Sequence, residues 1–233
     1  MVTRTFSPPT SKPAALVVFY MDAFGVRDAL AAMARRLADN GYVVALPDLF
    51  HRVAPVAPFD VATAFSTPAE RDRVMALIHG LSHAGVMSDT NTVIEHLAAD
   101  GGPVCTVGYC MGGGYALRAA GTFPDRVVAA ASYHGGNLAT AAPDSPHVVA
   151  SRAKGRLYIG YADNDRSFPD DQRDTLDAAL TAAGVAHTIE RYHARHGFAV
   201  PDHAVYDEQA AARHWETLLA LFRDATGTTS TAR

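Results

Sequence analysis

Short apolar runs alternate along this chain with segments whose apolar residues recur three and four positions apart. Residues 16–21 form a continuous apolar run of strand length. Leu30, Met33, Ala34 and Leu37 then follow the spacing of an amphipathic helix, with Asp28 placed to cap it and Asn40-Gly41 to stop it. Residues 42–46 read as a second strand ended by Pro47. Residues 48–67 are interrupted by prolines and read mostly as loop. Helix faces follow at Val74, Leu77, Ile78 and Leu81, and at Val93, Ile94 and Leu97.

The second half repeats this alternation. Strands are predicted at 104–109, 127–133, 156–161 and 187–192. Helices are predicted at 112–122, on the face Leu176, Ala179, Leu180 and Ala183, and on the face Trp215, Leu218, Leu219 and Phe222. The strands are apolar on both faces, which a sheet covered from both sides requires. The pattern predicts an α/β fold, a mostly parallel sheet with helices on both faces and no large lid. Residues 1–15, rich in Pro, Ser and Thr from position 5, read as an N-terminal loop. Residues 16–225 read as one domain, and the polar stretch 226–233 as a disordered tail.

Composition narrows the classes. A chain of 233 residues that is 48% hydrophobic suits a single domain. A net charge of −4 gives no basic footprint for nucleic acid. No run approaches the ~18 apolar residues of a membrane span, and residues 1–13 lack a signal-peptide pattern. Cys105 and Cys110 would lie roughly 16 Å apart on one strand, too far for a disulfide. Two free thiols fit a reducing cytoplasm. Nothing demands more than a monomer or dimer.

Candidate chemistry gathers where strands end, the usual place for a site in an open α/β sheet. Gly108-Tyr109-Cys110-Met111-Gly112 lies between a predicted strand and helix. This is the cysteine form of the G-x-S-x-G nucleophile elbow, whose sharp turn exposes one reactive side chain. Cys105, in mid-strand, reads as structural. Cys110 needs a base to form thiolate, and His196, in the His-Gly-Phe run after the last strand, can supply it. A carboxylate should orient that imidazole. Asp163 and Asp165 both run off the preceding strand, and spacing does not separate them. The backbone N–H groups of Met111 and Ala23 are placed to form an oxyanion hole. Phe24, Tyr109, His134 and Phe198 are candidates for the substrate pocket wall. His193, His196, His203 and Asp202 suggest a metal only weakly, and no metal or other cofactor is expected.

Taken together, Asp22-Ala23-Phe24-Gly25, Pro47-Asp48-Leu49-Phe50, the segment from Gly108 to Gly113, Asp165 with Pro169, and His196-Gly197-Phe198 resemble the dienelactone hydrolase family of α/β-hydrolases. The resemblance implies a Cys110–Asp165–His196 triad and selects Asp165, which stands four residues before a proline. It implies a cofactor-free hydrolase of small esters or lactones acting through a thioester. It also places Asp22 where the family has a glutamate that contacts the resting thiol. Val200 stands where the family has an arginine for the substrate carboxylate, which points to a less acidic substrate than dienelactone. The alternative reading is a non-catalytic member of the fold that binds a small molecule.

Overall fold

The computed structural model describes residues 2–9, 12–53 and 56–227. Seven strands form one sheet: β1 (Thr3–Phe6), β2 (Leu16–Tyr20), β3 (Val43–Pro47), β4 (Val104–Tyr109), β5 (Val127–Tyr133), β6 (Arg156–Ala162) and β7 (His187–Tyr192). Their spatial order is β1-β3-β2-β4-β5-β6-β7. All neighbours run parallel except β1, which pairs antiparallel with β3. Every residue of β2 and β4 is buried, so both sheet faces are covered. The connections are α1 (Asp28–Asp39), α2 (Pro68–His79), α3 (His83–Leu97), α4 (Met111–Thr122), α5 (Pro146–Ala150), α6 (Asp170–Ala182) and α7 (Glu208–Thr226).

Two stretches depart from the sequence reading. The expected loop at 1–15 contains β1. Its pattern TRTF carries one large apolar residue and exposes its two middle positions, so periodicity does not reveal it. It is held by register with β3, Phe6 opposite Val44 and Thr3 opposite Pro47. Helix α5 is five residues long, too short for a helical period to show. At the other end, Thr226 belongs to α7, and Gly227 closes that helix in the left-handed conformation, φ 67°. The remainder of the expected tail, 228–233, lies outside the described residues. Asp28 opens α1 as its first residue, one position past the expected cap, which Arg27 occupies in extended conformation.

The order of strands locates the site. From β2 the chain steps outward to β3, then returns across β2 to β4. The direction of winding reverses between β2 and β4, so their carboxyl ends are left uncovered by a crossover. Residues 22–25 leave β2 there, and Cys110 leaves β4 there.

Close backbone approach makes this junction possible. A Cβ on Gly112 would stand 2.5 Å from the Tyr20 carbonyl oxygen and also collide with that of Met21. One on Gly108 would stand 2.7 Å from the Gly113 nitrogen. Neither obstacle is a flexible side chain that can yield. Gly112→Ala is therefore expected to destabilise the fold by on the order of 1–3 kcal/mol. At roughly 2–4 °C per kcal/mol for a chain of this size, thermal unfolding should show a clear drop. An unchanged midpoint would mean that α4 can lift away from β2.

Candidate active site

Cys110 sits at the turn between β4 and α4 with φ 54° and ψ −121°, a conformation that a residue with a Cβ rarely adopts. Its N–H donates to the Tyr133 carbonyl at 3.2 Å, which ties the turn to the end of β5. Helix α4 starts at the next residue. The Met111 N–H therefore belongs to the first turn, where amides lack intrahelical partners. Cys110 is half-buried, whereas Cys105 is fully buried in β4 and burial raises its pKa.

The two aspartates left open by spacing separate in space. Asp165 Oδ2 accepts from His196 Nδ1 at 2.6 Å. Its Oδ1 accepts from the Ser167 amide at 2.9 Å and the Ser167 hydroxyl at 2.6 Å. Asp163 faces outward and pairs with Arg191 and His193. Burial acts to raise the Asp165 pKa. The hydrogen bond and charge of His196, with both Ser167 donors, outweigh burial and hold it below the ordinary value.

His196 joins the two ends of the constellation. Burial acts to lower its pKa. The charge of Cys110, the Asp165 hydrogen bond and the Cys110 hydrogen bond overcome this and raise it to about 10. The arrangement favours a charged His196 imidazolium beside the Asp165 carboxylate. Ser167, absent from the sequence reading, also places its hydroxyl 3.3 Å from His196 Nδ1. Its position two residues after Asp165, in an Asx turn, is the only local signal for it.

The second expected oxyanion donor lies in the turn after β2. The Gly25 amide donates to the Asp22 carbonyl at 3.3 Å, and the Phe24 amide donates to Asp22 Oδ1 at 3.0 Å. None of the turn's hydrogen bonds uses the Ala23 N–H. The expected contact between Asp22 and the resting thiol gives way to other partners. Both Asp22 oxygens accept from Arg27, at 2.7 and 2.8 Å, and Oδ2 also lies 3.2 Å from His203 Nε2. Asp22 is fully buried. Burial acts to raise its pKa, and the hydrogen bonds and charges of His203 and Arg27 hold it low instead.

The four candidate pocket-wall residues divide. Phe24 packs with Ala23, Ala64 and Val74 in a small apolar cluster to which Phe59, Val61, Ile78 and Cys110 also belong. Its ring meets Phe59 and Phe65 edge-on, with centroids 6.1 and 5.3 Å apart. Tyr109 instead is fully buried, its hydroxyl 2.8 Å from His214 Nε2 of α7. Successive strand residues face opposite ways. Gly108 faces α4, so Tyr109 is turned towards α7 and away from a ligand above Cys110. Phe198 is likewise fully buried, stacked on Tyr192 at 4.6 Å. It supports the site from below.

His134 is also fully buried, at φ 39°, with its ring 5.1 Å from that of His196. Burial, then the neighbouring His196, His203 and His214, push its pKa well below the ordinary value. It is a neutral wall behind the His196 imidazole. Phe59 and Phe65 were not legible as site residues, because nothing in a proline-broken loop indicates which way its aromatics turn.

Three arginines that could recognise a substrate carboxylate are engaged elsewhere. Arg52 forks onto Asp89, Arg73 binds Glu70 and the Ala57 carbonyl over the Phe59 ring, and Arg71 approaches Asp72. Among the described residues, no three His, Cys, Asp or Glu side chains gather as a metal site, and no helix is long and apolar enough to cross a membrane.

The raised His196 pKa has a direction for stability. A folded value of about 10 against an unfolded one of ~6.5 means the native state keeps a proton the unfolded chain releases. The contribution is full below pH ~6.5 and is lost as pH rises through about 10. The His196 ring resonances should titrate near pH 10 in the wild type and well below that in Cys110→Ala. Titration at an ordinary histidine value in both proteins would remove the ion pair.

Comparison with known proteins finds similarity along nearly the whole chain. A profile of the dienelactone hydrolase family matches residues 1–226. A putative carboxymethylenebutenolidase of Synechocystis is 29% identical over 216 residues, covering 89% of this chain and 85% of that protein. The carboxymethylenebutenolidase of Pseudomonas putida is 30% identical over 210 residues, covering 88% and 83%. The crystal structure of a putative dienelactone hydrolase from Klebsiella pneumoniae superposes with a TM-score of 0.77 at 25% identity, over 95% of this chain and 98% of that one. The chain belongs to the dienelactone hydrolase family of α/β-hydrolases and is a hydrolase of carboxylic esters or lactones.

Proposed function

We propose that this protein cleaves a small, uncharged ester or lactone through a thioester on Cys110. The carrying observation is the position of His196, bonded to Asp165 through Nδ1 and coupled to the Cys110 thiol at the strained turn. The Cys110 thiolate attacks the substrate carbonyl. The Met111 and Ala23 amides receive the negative charge that develops on the carbonyl oxygen. The His196 imidazolium gives its proton to the leaving alkoxide as the tetrahedral intermediate collapses to thioester and alcohol. The neutral imidazole then takes a proton from water, whose oxygen attacks the thioester. Collapse expels the Cys110 thiolate and releases the acid, and His196 keeps the proton it took from water, which restores the starting pair. Asp165 keeps Nδ1 protonated throughout and compensates the imidazolium charge.

The apolar cluster around Phe24 and Cys110 supports an uncharged substrate, as do the commitments of Arg52 and Arg73. A carboxylate placed there would lose water without gaining a guanidinium fork, a charge-assisted contact of about 1.5–3 kcal/mol. The unpaired Cys105 and Cys110 thiols suit a reducing compartment such as the cytoplasm.

Hydrolysis of p-nitrophenyl esters and simple lactones should be measured for wild type beside Cys110→Ala. The variant is expected to lose on the order of 10³-fold or more in kcat, with an unchanged circular dichroism spectrum. Comparable turnover by both proteins would rule out Cys110 as nucleophile. Within the panel, neutral lactones should exceed carboxylate-bearing analogues by about tenfold or more in kcat/KM, as expected from the missing guanidinium contact. The opposite order would require an arginine to turn into the pocket.

A further inference from the structure

A charged cluster outside the triad joins the two loops on either side of Cys110. Arg27 sits at its centre. Its Nη1 and Nη2 donate to the two oxygens of Asp22, at 2.7 and 2.8 Å, and Nη1 also lies 3.3 Å from the Gly25 carbonyl oxygen. Its Nε and Nη2 donate to the two oxygens of Asp202 at 2.6 and 2.9 Å. One guanidinium thus bridges the turn after β2 to the loop that follows His196. His203, adjacent to Asp202, closes the ring through its contact with Asp22 and packs its imidazole edge-on to Phe24 at 5.4 Å. The His196 loop is pressed under this cluster. Gly197 stands at φ 104°, and a Cβ there would meet His203 Nδ1 at 2.6 Å.

We propose that Arg27, with Asp22 and Asp202, is a latch that positions the Ala23 N–H for the oxyanion. This rests on the thioester reading above. The Ala23 N–H belongs to the peptide that begins at Asp22, so whatever fixes the Asp22 side chain fixes that peptide's plane. Asp22 is held on one side by the Phe24 amide and on the other by Arg27 and His203. A buried carboxylate with no cation would be driven to turn outward or take a proton, and either would rotate the turn. Oxyanion donors must stay within about 2.7–3.1 Å of the developing charge to act. His196 does not depend on the latch to the same degree, because Asp165 and Ser167 orient it separately.

That difference gives the test. Attack on an ester needs the oxyanion donors, whereas alkylation of Cys110 by iodoacetamide needs only thiolate and histidine. Arg27→Lys leaves one point charge where two forks are required. Asp202→Asn loosens the more exposed end while keeping the buried Arg27–Asp22 pair, which guards against simple misfolding. Both variants should lower kcat for p-nitrophenyl acetate, by about tenfold for Asp202→Asn and about 30-fold for Arg27→Lys, less than the 10²–10³ for deleting a donor. Their rates of Cys110 alkylation should stay within about twofold of wild type, since that reaction develops no oxyanion, and Asp202→Glu should restore most of the loss. Equal losses in hydrolysis and alkylation would overturn the latch, and so would unchanged hydrolysis in both variants. Hydrolysis that survives Cys110→Ala would instead overturn the thioester reading and the latch with it.

Discussion

Everything at this site depends on how closely one helix approaches one strand end. Helix α4 begins immediately after Cys110, and its first turn lies against the carbonyl groups that end β2. Only a glycine at 112 allows that distance, and only a glycine at 108 lets β4 turn beneath it. The approach forces Cys110 to φ 54°, strain that the surrounding sheet sustains because strands β2, β4 and β5 are locked in parallel register. The same approach brings the Asp22–Gly25 turn beside the thiol and leaves the amides of Met111 and Ala23 available near it. The placement of Cys110, of the proposed oxyanion donors and of the apolar wall therefore follows from one packing constraint rather than from separate arrangements.

Charge is then distributed so that each buried ion has a counterpart. His196 stands between Cys110 and Asp165, and Arg27 stands between Asp22 and Asp202. The two groups meet in the loop 196–203, one at each end. An isolated charge in such surroundings would be neutralised by a shift of its pKa. Here the directions run the other way: Asp22 and Asp165 are held low and His196 is held high, so partners dominate over burial. His134 is the informative contrast. It has no hydrogen-bond partner on either ring nitrogen, and burial leaves it neutral. A second cation beside His196 would oppose the charge on its imidazole, and the buried placement of His134 keeps that neighbour neutral.

Sequence made much of this legible where a residue's role is set by its immediate neighbours. The elbow glycines, the apolar runs of β2 and β4, and the order of nucleophile, acid and histidine all rest on local pattern. Asp163 and Asp165 could not be ranked from spacing, because the decision belongs to where β7 ends and how its loop folds back. Asp22 matched a family position but found partners in Arg27, five residues on, which Asp202 also holds, and in His203 far along the chain. Tyr109 and Phe198 lie fully buried, which aromatic character alone does not foretell, because it does not say which sheet face a residue takes. β1 escaped notice because an edge strand of four residues needs its partner β3, not its own periodicity, to exist.

The substrate's character follows from combining these constraints. Two cations of the site are already matched: His196 by Asp165, and Arg27 by two carboxylates. A substrate carboxylate that took Arg27 would compete with Asp22 or Asp202 for it, and on the proposed reading would release the turn that carries Ala23. Binding an anion at Arg27 would then oppose the proposed support of the oxyanion. Aromatic contacts from Phe24, Phe59 and Phe65 carry no such conflict, because they exclude water without drawing on any charge. In the proposed reaction a neutral acyl group packed on that cluster leaves Arg27 with both its carboxylates while the carbonyl is attacked, so the charges that hold the turn after β2 keep their partners.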